Sequence, residues 1–164
     1  MKLKILVGTM SSTATTVAKA IQIGCADLLK EIQVTQMDGL DSRVFDADKV
    51  KDVLFLICTS TYGAGDLPDN AQALYQSLDA QPQFLGHLQY GVMALGDSSA
   101  HPQTFCFGGK KFDERLQDFG AQRIGEICCL DTSSGMAPET AGAEWCRQWL
   151  QKAALLESPP PCAI

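Results

Sequence analysis

The chain is expected to fold as a doubly wound α/β domain, a parallel five-stranded sheet with helices on both faces. Three observations lead there. Five short apolar, β-prone runs alternate with amphipathic stretches long enough for helices. The run Val53-Leu54-Phe55-Leu56-Ile57-Cys58 is continuous rather than alternating, the pattern of a strand buried on both faces. No internal repeat or linker divides the 164 residues, a length that suits one domain with its own core. Parallel strands need crossover connections, and helices between them must pack on the sheet faces.

The elements follow in order. Leu3 to Val7 is the first strand, and a helix runs from about Thr13 to Lys30. On that helix Val17, Ile21, Cys25 and Leu28 recur at spacings of four and three, one buried stripe. Ile32 to Met37 is partly polar and reads as an edge strand. Asp38 to Lys51 is polar and holds at most a short helix. Beyond the third strand, Asp69-Asn70 is a capping pair for a helix carrying Ala73, Leu74 and Leu78. Tyr90 to Leu95 is the fourth strand, followed by a polar loop to Thr104. Phe105 to Phe119 is helical with Phe112, Leu116 and Phe119 on one side, and Gly120 suits a left-handed stop. On the same helix Asp113, Glu114 and Asp118 read as a solvated face. Arg123 to Leu130 is the fifth strand, Thr132 to Gly142 a loop, and Ala143 to Leu156 a last helix burying Trp145, Trp149 and Leu156. The domain is taken as residues 1–156 and the flexible Pro-rich tail as 157–164.

Composition excludes several classes. A formal charge of −6 and an acidic balance argue against nucleic acid and for a basic protein partner. No stretch reaches membrane-spanning length, and no signal-peptide pattern precedes the first strand, so a cytoplasmic monomer is expected. Seven cysteines, an odd number without Cys-x-x-Cys, read as buried free thiols rather than a disulfide framework; Cys128 and Cys129 point to opposite faces of a strand. Two histidines are too few for a metal cluster.

The loops after strands one, three and four fall at the sheet edge where open α/β folds bind ligands. The first contains Thr9, Met10, Ser11, Ser12 and Thr13 ahead of a helix. Unpaired N–H groups at a helix start, interleaved with hydroxyls, surround an anion with donors. The loop has no lysine or arginine and lacks both the Walker pattern and Gly-x-Gly-x-x-Gly, so a monophosphate fits better than a triphosphate or dinucleotide. The second, Thr59-Ser60-Thr61-Tyr62-Gly63-Ala64-Gly65-Asp66, offers hydroxyls, one flat aromatic face and glycines that permit close backbone approach. These residue types also serve ordinary N-caps and turns, so the loops count only together.

Four stretches in register carry a resemblance: Gly8 to Thr16, Thr59 to Asn70, Ala94-Leu95-Gly96-Asp97-Ser98-Ser99, and Phe105-Cys106 with Gly108-Gly109-Lys110. Together they resemble the short-chain flavodoxins, more narrowly the MioC and YqcA type. Thr61 to Asp66 and Gly120-Ala121-Gln122-Arg123-Ile124 are also similar to the FMN domains of cytochrome P450 reductase and sulfite reductase. The similarity runs from about Lys2 to Leu150, and no long insertion splits the fifth strand.

The resemblance implies a flavodoxin-like three-layer sandwich with strand order 2-1-3-4-5 and bound FMN. It implies a low-potential one-electron carrier between an NADPH-dependent flavin reductase and acceptor enzymes, an electron-transfer protein rather than an enzyme. The phosphate loop maps onto Thr9, Met10, Ser11, Ser12, Thr13 and Ala14. Thr59, Ser60, Thr61, Tyr62, Gly63, Ala64 and Gly65 form the second loop, with Tyr62 stacking on the inner ring face. The backbone around Leu95, Gly96 and Asp97 holds the ring edge and ribityl region, with Phe105 and Cys106 on the ribityl side and Asp131 close to the pocket. His101 and Phe105 are the candidates for the outer face, which is otherwise open. A backbone peptide beside the ring is implied to reverse on reduction, which gives Gly63 its place. An FAD-containing NADP reductase is the implied donor and basic redox proteins the acceptors, docking among Asp66, Asp69 and Asp97.

Two departures stand out. In the first loop Ser12 occupies a position where relatives carry Gly, strained if its φ is positive, and Ala14 replaces a hydroxyl residue; after the fourth strand, Ala100-His101-Pro102-Gln103 stands where relatives place an outer stacking Tyr. Rival readings are a small FMN-dependent NAD(P)H:quinone reductase and a partner-binding domain with weakened FMN binding. A receiver-like module would need acids where the chain has Gly8-Thr9 and Cys58-Thr59.

Overall fold

The computed structural model describes the backbone of residues 1–157 and the side chains of 1–154. Strand β1 (Lys2–Gly8) lies between β2 (Glu31–Gln36) and β3 (Val53–Ser60), and β3 pairs with β4 (Gln89–Gly96). The outer position beyond β4 is shared by β5 (Gln122–Arg123) and β6 (Cys128–Asp131), both paired with β4. All pairings are parallel in the order β2-β1-β3-β4-β5, the expected 2-1-3-4-5 arrangement with β2 at an edge.

Each face carries one core. Helices α1 (Thr13–Gly24) and α4 (Pro138–Glu157) cover Leu3, Ile5, Val7, Leu54, Leu56 and Cys58 on one side. Helices α2 (Asp69–Ala80) and α3 (Phe107–Asp118) cover Leu6, Phe55, Ile57, Val92 and Ala94 on the other. The continuous β3 run thus serves both cores, alternate residues going to opposite faces.

Several boundaries differ from the sequence expectation. Helix α1 stops at Gly24, though Cys25 stays fully buried and Leu28 packs partly against the same core. On α2 the buried positions are Ala71, Leu74 and Leu78, while Ala73 is exposed. The fifth strand is broken: the pairs Tyr90–Arg123 and Met93–Cys128 differ in register, and Gly125 between them has φ +74°. The Trp149 indole sits there, donating to the Ile124 carbonyl at 2.8 Å, and a Cβ on Gly91 of β4 would lie 2.3 Å from its ring. Trp149 is buried as expected, whereas Trp145 is half-buried and stacked on it, with centroids 5.6 Å apart.

Helix α4 begins at Pro138, five residues before the expected Ala143. Proline is well suited to a first helical position, and Gly142 lets the helix close on α1, since a Cβ there would meet Val17 at 2.7 Å. The expected burial of Leu156 and the Pro-rich tail from Ser158 lie outside the described residues.

The acids of α3 do not share one environment. Glu114 and Asp118 are exposed, but Asp113 is buried against the sheet. Its carboxylate accepts the Tyr90 hydroxyl at 2.7 Å and pairs with Arg123 at 2.5 Å. The expected solvated face is therefore corrected at Asp113, where a helix turn brings the acid over β4 and β5.

Gly109 sets how closely α3 lies on β4. A Cβ there would stand 2.4 Å from the Ala94 Cβ and 3.0 Å from Val92. Gly109→Ala is expected to lower stability by about 1–3 kcal/mol from overpacking, read as a lower thermal midpoint. Helix propensity alone would give a gain of about 1 kcal/mol, so the sign of the shift decides.

Candidate cofactor site

The chain leaves β1 for α1 on one face of the sheet and leaves β3 for α2 on the other. A crevice opens between such divergent connections at the carboxyl ends of the strands. Here it is a cleft of about 170 Å³. Ser11 and Thr13 line its α1 side, Ser60 and Thr61 the end of β3, and Leu95, Gly96, Asp97 and Thr132 the opposite wall.

The first loop is a set of donors at the start of α1. Ser12 precedes the helix at φ −90°, an ordinary helical value, so the strain expected there is absent. Its side chain makes no cap, and its carbonyl accepts the Thr16 N–H at 2.9 Å. The hydroxyls turn on the loop itself: Thr9 donates to the Ser11 carbonyl, and the Ser11 and Thr13 hydroxyls stand 3.3 Å apart. Among the described residues, no acceptor meets the N–H groups of Met10, Ser12, Ala14 and Thr15. Ala14 thus keeps a backbone role although its side chain is fully buried. Met10 is half exposed, and its sulfur accepts the Asp69 N–H at 3.1 Å.

Asn70 holds this loop, although its place in the sequence marks it only as a helix cap. Pro68 occupies the cap position of α2, and the Asn70 side chain instead crosses to the first loop. Its Oδ1 accepts the Thr9 N–H at 2.8 Å, and its Nδ2 donates to the Val7 carbonyl at 3.2 Å and to Asp38 at 3.1 Å.

The second loop is a tight reversal. Tyr62 and Asp66 exchange backbone hydrogen bonds of 2.7 and 2.8 Å across Gly63, Ala64 and Gly65. Tyr62 is 50% exposed, at the rim. Gly63 has φ +53° with nothing within 4 Å of a Cβ position, so its constraint is the backbone conformation alone. Gly65, at φ +109°, is packed instead, under Phe107 and Thr104. Thr61 joins this loop to the next by accepting the Gly108 N–H at 3.1 Å.

Two expected contact residues are spent elsewhere. Thr59 is fully buried and faces Gly8, where a Cβ would come within 2.6 Å of its hydroxyl. The Cys106 thiol turns into the α2/α3 core and donates to the Ala94 carbonyl at 3.3 Å, so it does not line the cleft. Leu95 lines the cleft while its side chain is buried in the α1/α4 core. Phe105 packs beside Gly96 and against the α2/α3 core. His101 is exposed, tied by its N–H to the Asp97 carbonyl at 3.0 Å.

A fourth loop, after β6, completes the wall, and no signal in its own residues assigns it to the site. Thr132 gives both its N–H and its hydroxyl to the Gly96 carbonyl, at 2.8 and 3.1 Å. Asp131 is a strut between loops: it accepts the hydroxyls of Ser133 and Ser98 and their N–H groups. Those bonds, the Ser133 and Ser98 hydroxyls first, hold its carboxyl well below the usual carboxylate range. Asp97 is held below its usual range by the Ser99 hydroxyl and the Ala100 N–H.

This donor set fits FMN. Unpaired N–H groups and hydroxyls without a cation suit a phosphate monoester held by dipoles and hydrogen bonds. The cleft is small, so a flat ring would lie outside it, at exposed Tyr62 beside the open space over Gly63.

Comparison with known proteins agrees. A family model described as flavodoxin matches residues 5–145. Flavodoxin YqcA of Escherichia coli is 38% identical over 151 residues, covering 88% of this chain and 93% of that protein. The sulfite reductase [NADPH] flavoprotein alpha-component of Vibrio cholerae is 38% identical over 157 residues, 91% of this chain but 23% of that larger protein. The solved structure of a cysteine-to-alanine mutant of flavodoxin from Pseudomonas aeruginosa is 31% identical with a TM-score of 0.74, covering 93% of this chain and 98% of that one. With the strand order, the rim aromatic and the donor loop at α1 all in place, the chain belongs to the flavodoxin family.

Proposed function

We propose that the protein is an FMN-carrying one-electron relay between an FAD-containing, NADPH-dependent reductase and acceptor enzymes. The observation that carries this reading is the convergence of unpaired N–H groups and hydroxyls at the α1 start with exposed Tyr62 at the same rim. When bound, FMN supplies two successive one-electron steps. The chain's own part is to grip and to tune. Met10, Ser12, Ala14 and Thr15 would donate backbone N–H groups to the phosphate, and Ser11 and Thr13 their hydroxyls. Tyr62 would cover one ring face and exclude water from it. Placing the site between β1 and β3 follows the general rule for flavodoxin-like sheets and is not peculiar to this chain.

Asp66, Asp69 and Asp97 put negative charge around the rim, which disfavours adding electrons and draws in a basic partner. Lys111 lies 3.8 Å from Asp66 and offsets part of that charge. The chain's net charge of −6 favours fast, salt-sensitive encounter with such a reductase.

The purified protein is expected to be yellow, or to become so with stoichiometric FMN, and to take up electrons singly from an NADPH-reduced flavin reductase. A protein that stays colourless with FMN, or that oxidises NADPH unaided at enzymatic rates, would overturn the relay. Gly63→Ala is expected to narrow the gap between the two one-electron potentials, because the reversed peptide orientation is reached at low cost only by a residue without a Cβ. A potentiometric titration reads this directly, and an unchanged gap rules out a backbone reversal at Gly63.

A further inference from the structure

We propose that Cys129 is a nucleophilic thiol with Cys106 as its resolving partner, a dithiol site for low-molecular-weight disulfides at the edge of the sheet. Cys129 lies on β6 opposite Ala94 of β4. Alternation along β6 sends Cys128 and Leu130 into the α1/α4 core and turns Cys129 to the opposite face, on the side of α3. Cys106, just ahead of α3, reaches the same spot from the other direction: its thiol donates to the carbonyl of Ala94, the residue opposite Cys129, at 3.3 Å. Cys129 is exposed, against the expected burial of the thiols, whereas Cys106 is fully buried.

The surroundings divide the roles. When Cys129 ionises, the single Cys106 S–H turns from the Ala94 carbonyl to the thiolate and Lys110 adds positive charge, which together outweigh partial burial and hold the Cys129 thiol below its usual range. Cys106 is pushed up by that same hydrogen bond and by burial, so it remains the protonated donor. Cys58 and Cys128 are pushed up to about 12 by burial. A second pair of neighbouring thiols, Cys25 and Cys146, is fully buried and offers a disulfide no way in.

The chemistry balances with one small disulfide, RSSR, as oxidant. The Cys129 thiolate attacks one sulfur, forming Cys129–S–S–R and expelling RS⁻. The Cys106 sulfur then attacks Cys129, forming the Cys106–Cys129 bond, and the second RS leaves with the Cys106 proton. Two protein thiols are oxidised and one disulfide is reduced to two thiols. The new bond would tie β6 to the turn before α3, whose Cys106 has a left-handed backbone at φ +62° and borders Gly96 of the cleft.

The test uses the full reduced chain. Alkylation by iodoacetamide across a pH series, mapped by peptide mass spectrometry, is expected to modify Cys129 with a midpoint well below the roughly 8.5 of an ordinary thiol. Oxidised glutathione is expected to yield a Cys106–Cys129 linked peptide. In Cys106→Ala the glutathione adduct on Cys129 should persist and the alkylation midpoint should rise toward the ordinary value. A Cys129 midpoint in the ordinary range, or a wild-type adduct that never becomes the linked peptide, overturns the assignment. Both readings come from the unmutated protein, so they decide even if Cys106→Ala fails to fold.

Discussion

Asp113→Ala is expected to destabilise the protein by about 3 kcal/mol, the low end of the cost of breaking a buried ion pair. The substitution removes both the acceptor of the Tyr90 hydroxyl and the counter-charge of Arg123. Tyr90 is fully buried, so its hydroxyl then keeps only the longer contact to the Asp113 carbonyl at 3.3 Å. Arg123 keeps the Gly125 carbonyl at 2.9 Å and is partly exposed, which is why the lower figure applies. Burial also pushes the Tyr90 hydroxyl far above its usual range, with the Asp113 hydrogen bond adding to it, so it stays a donor at any working pH. Urea unfolding reads the loss. Asp113→Asn keeps an acceptor for Tyr90 and should fall between, while exposed Glu114→Ala and Asp118→Ala should change stability by under about 0.5 kcal/mol. Equal, small effects at all three acids would mean that the pair contributes nothing.

Asn70→Ala is expected to weaken FMN binding by about tenfold or more, with a stability loss of roughly 1–2 kcal/mol. Without the amide, Thr9 loses the acceptor of its N–H and the Val7 carbonyl loses a donor, so the first loop is no longer held open toward the cleft. The cost to binding is that of ordering the loop again each time the phosphate enters. Asn70→Asp separates geometry from charge. It keeps an acceptor for Thr9 but places a carboxylate beside Asp38 and the anion site, so its FMN affinity should fall below that of Asn70→Ala. Quenching of FMN fluorescence on titration measures both. An affinity unchanged in Asn70→Ala would show that the loop holds its shape unaided.

Signals written within a few residues are the ones legible without coordinates. The two-sided burial of Val53 to Cys58 and the left-handed Gly120 both have the form their local pattern implies. Signals that depend on a neighbouring element mislead. Pro138 and Gly142 fall in the stretch Thr132 to Gly142 that reads as a loop, yet Pro138 opens a helix and Val17 of α1 leaves no room for a Cβ at Gly142. The fifth strand reads as one run because nothing within Arg123 to Leu130 announces that Trp149 will bond the Ile124 carbonyl.

The residue pattern by itself determined the layered α/β architecture, the positions of the loops after β1, β3 and β4, and the hydroxyl-rich, cation-free character of the first. Those features follow from apolar periodicity and loop chemistry, both local properties of a chain. Only the tertiary structure decided which side chains face the cleft and which serve the cores. Thr59 and Cys106 turned inward, while Asn70 reached across to Thr9 from 61 positions away. Such choices are made when crossovers bring distant segments together, and each buried polar group takes whatever partner that meeting provides.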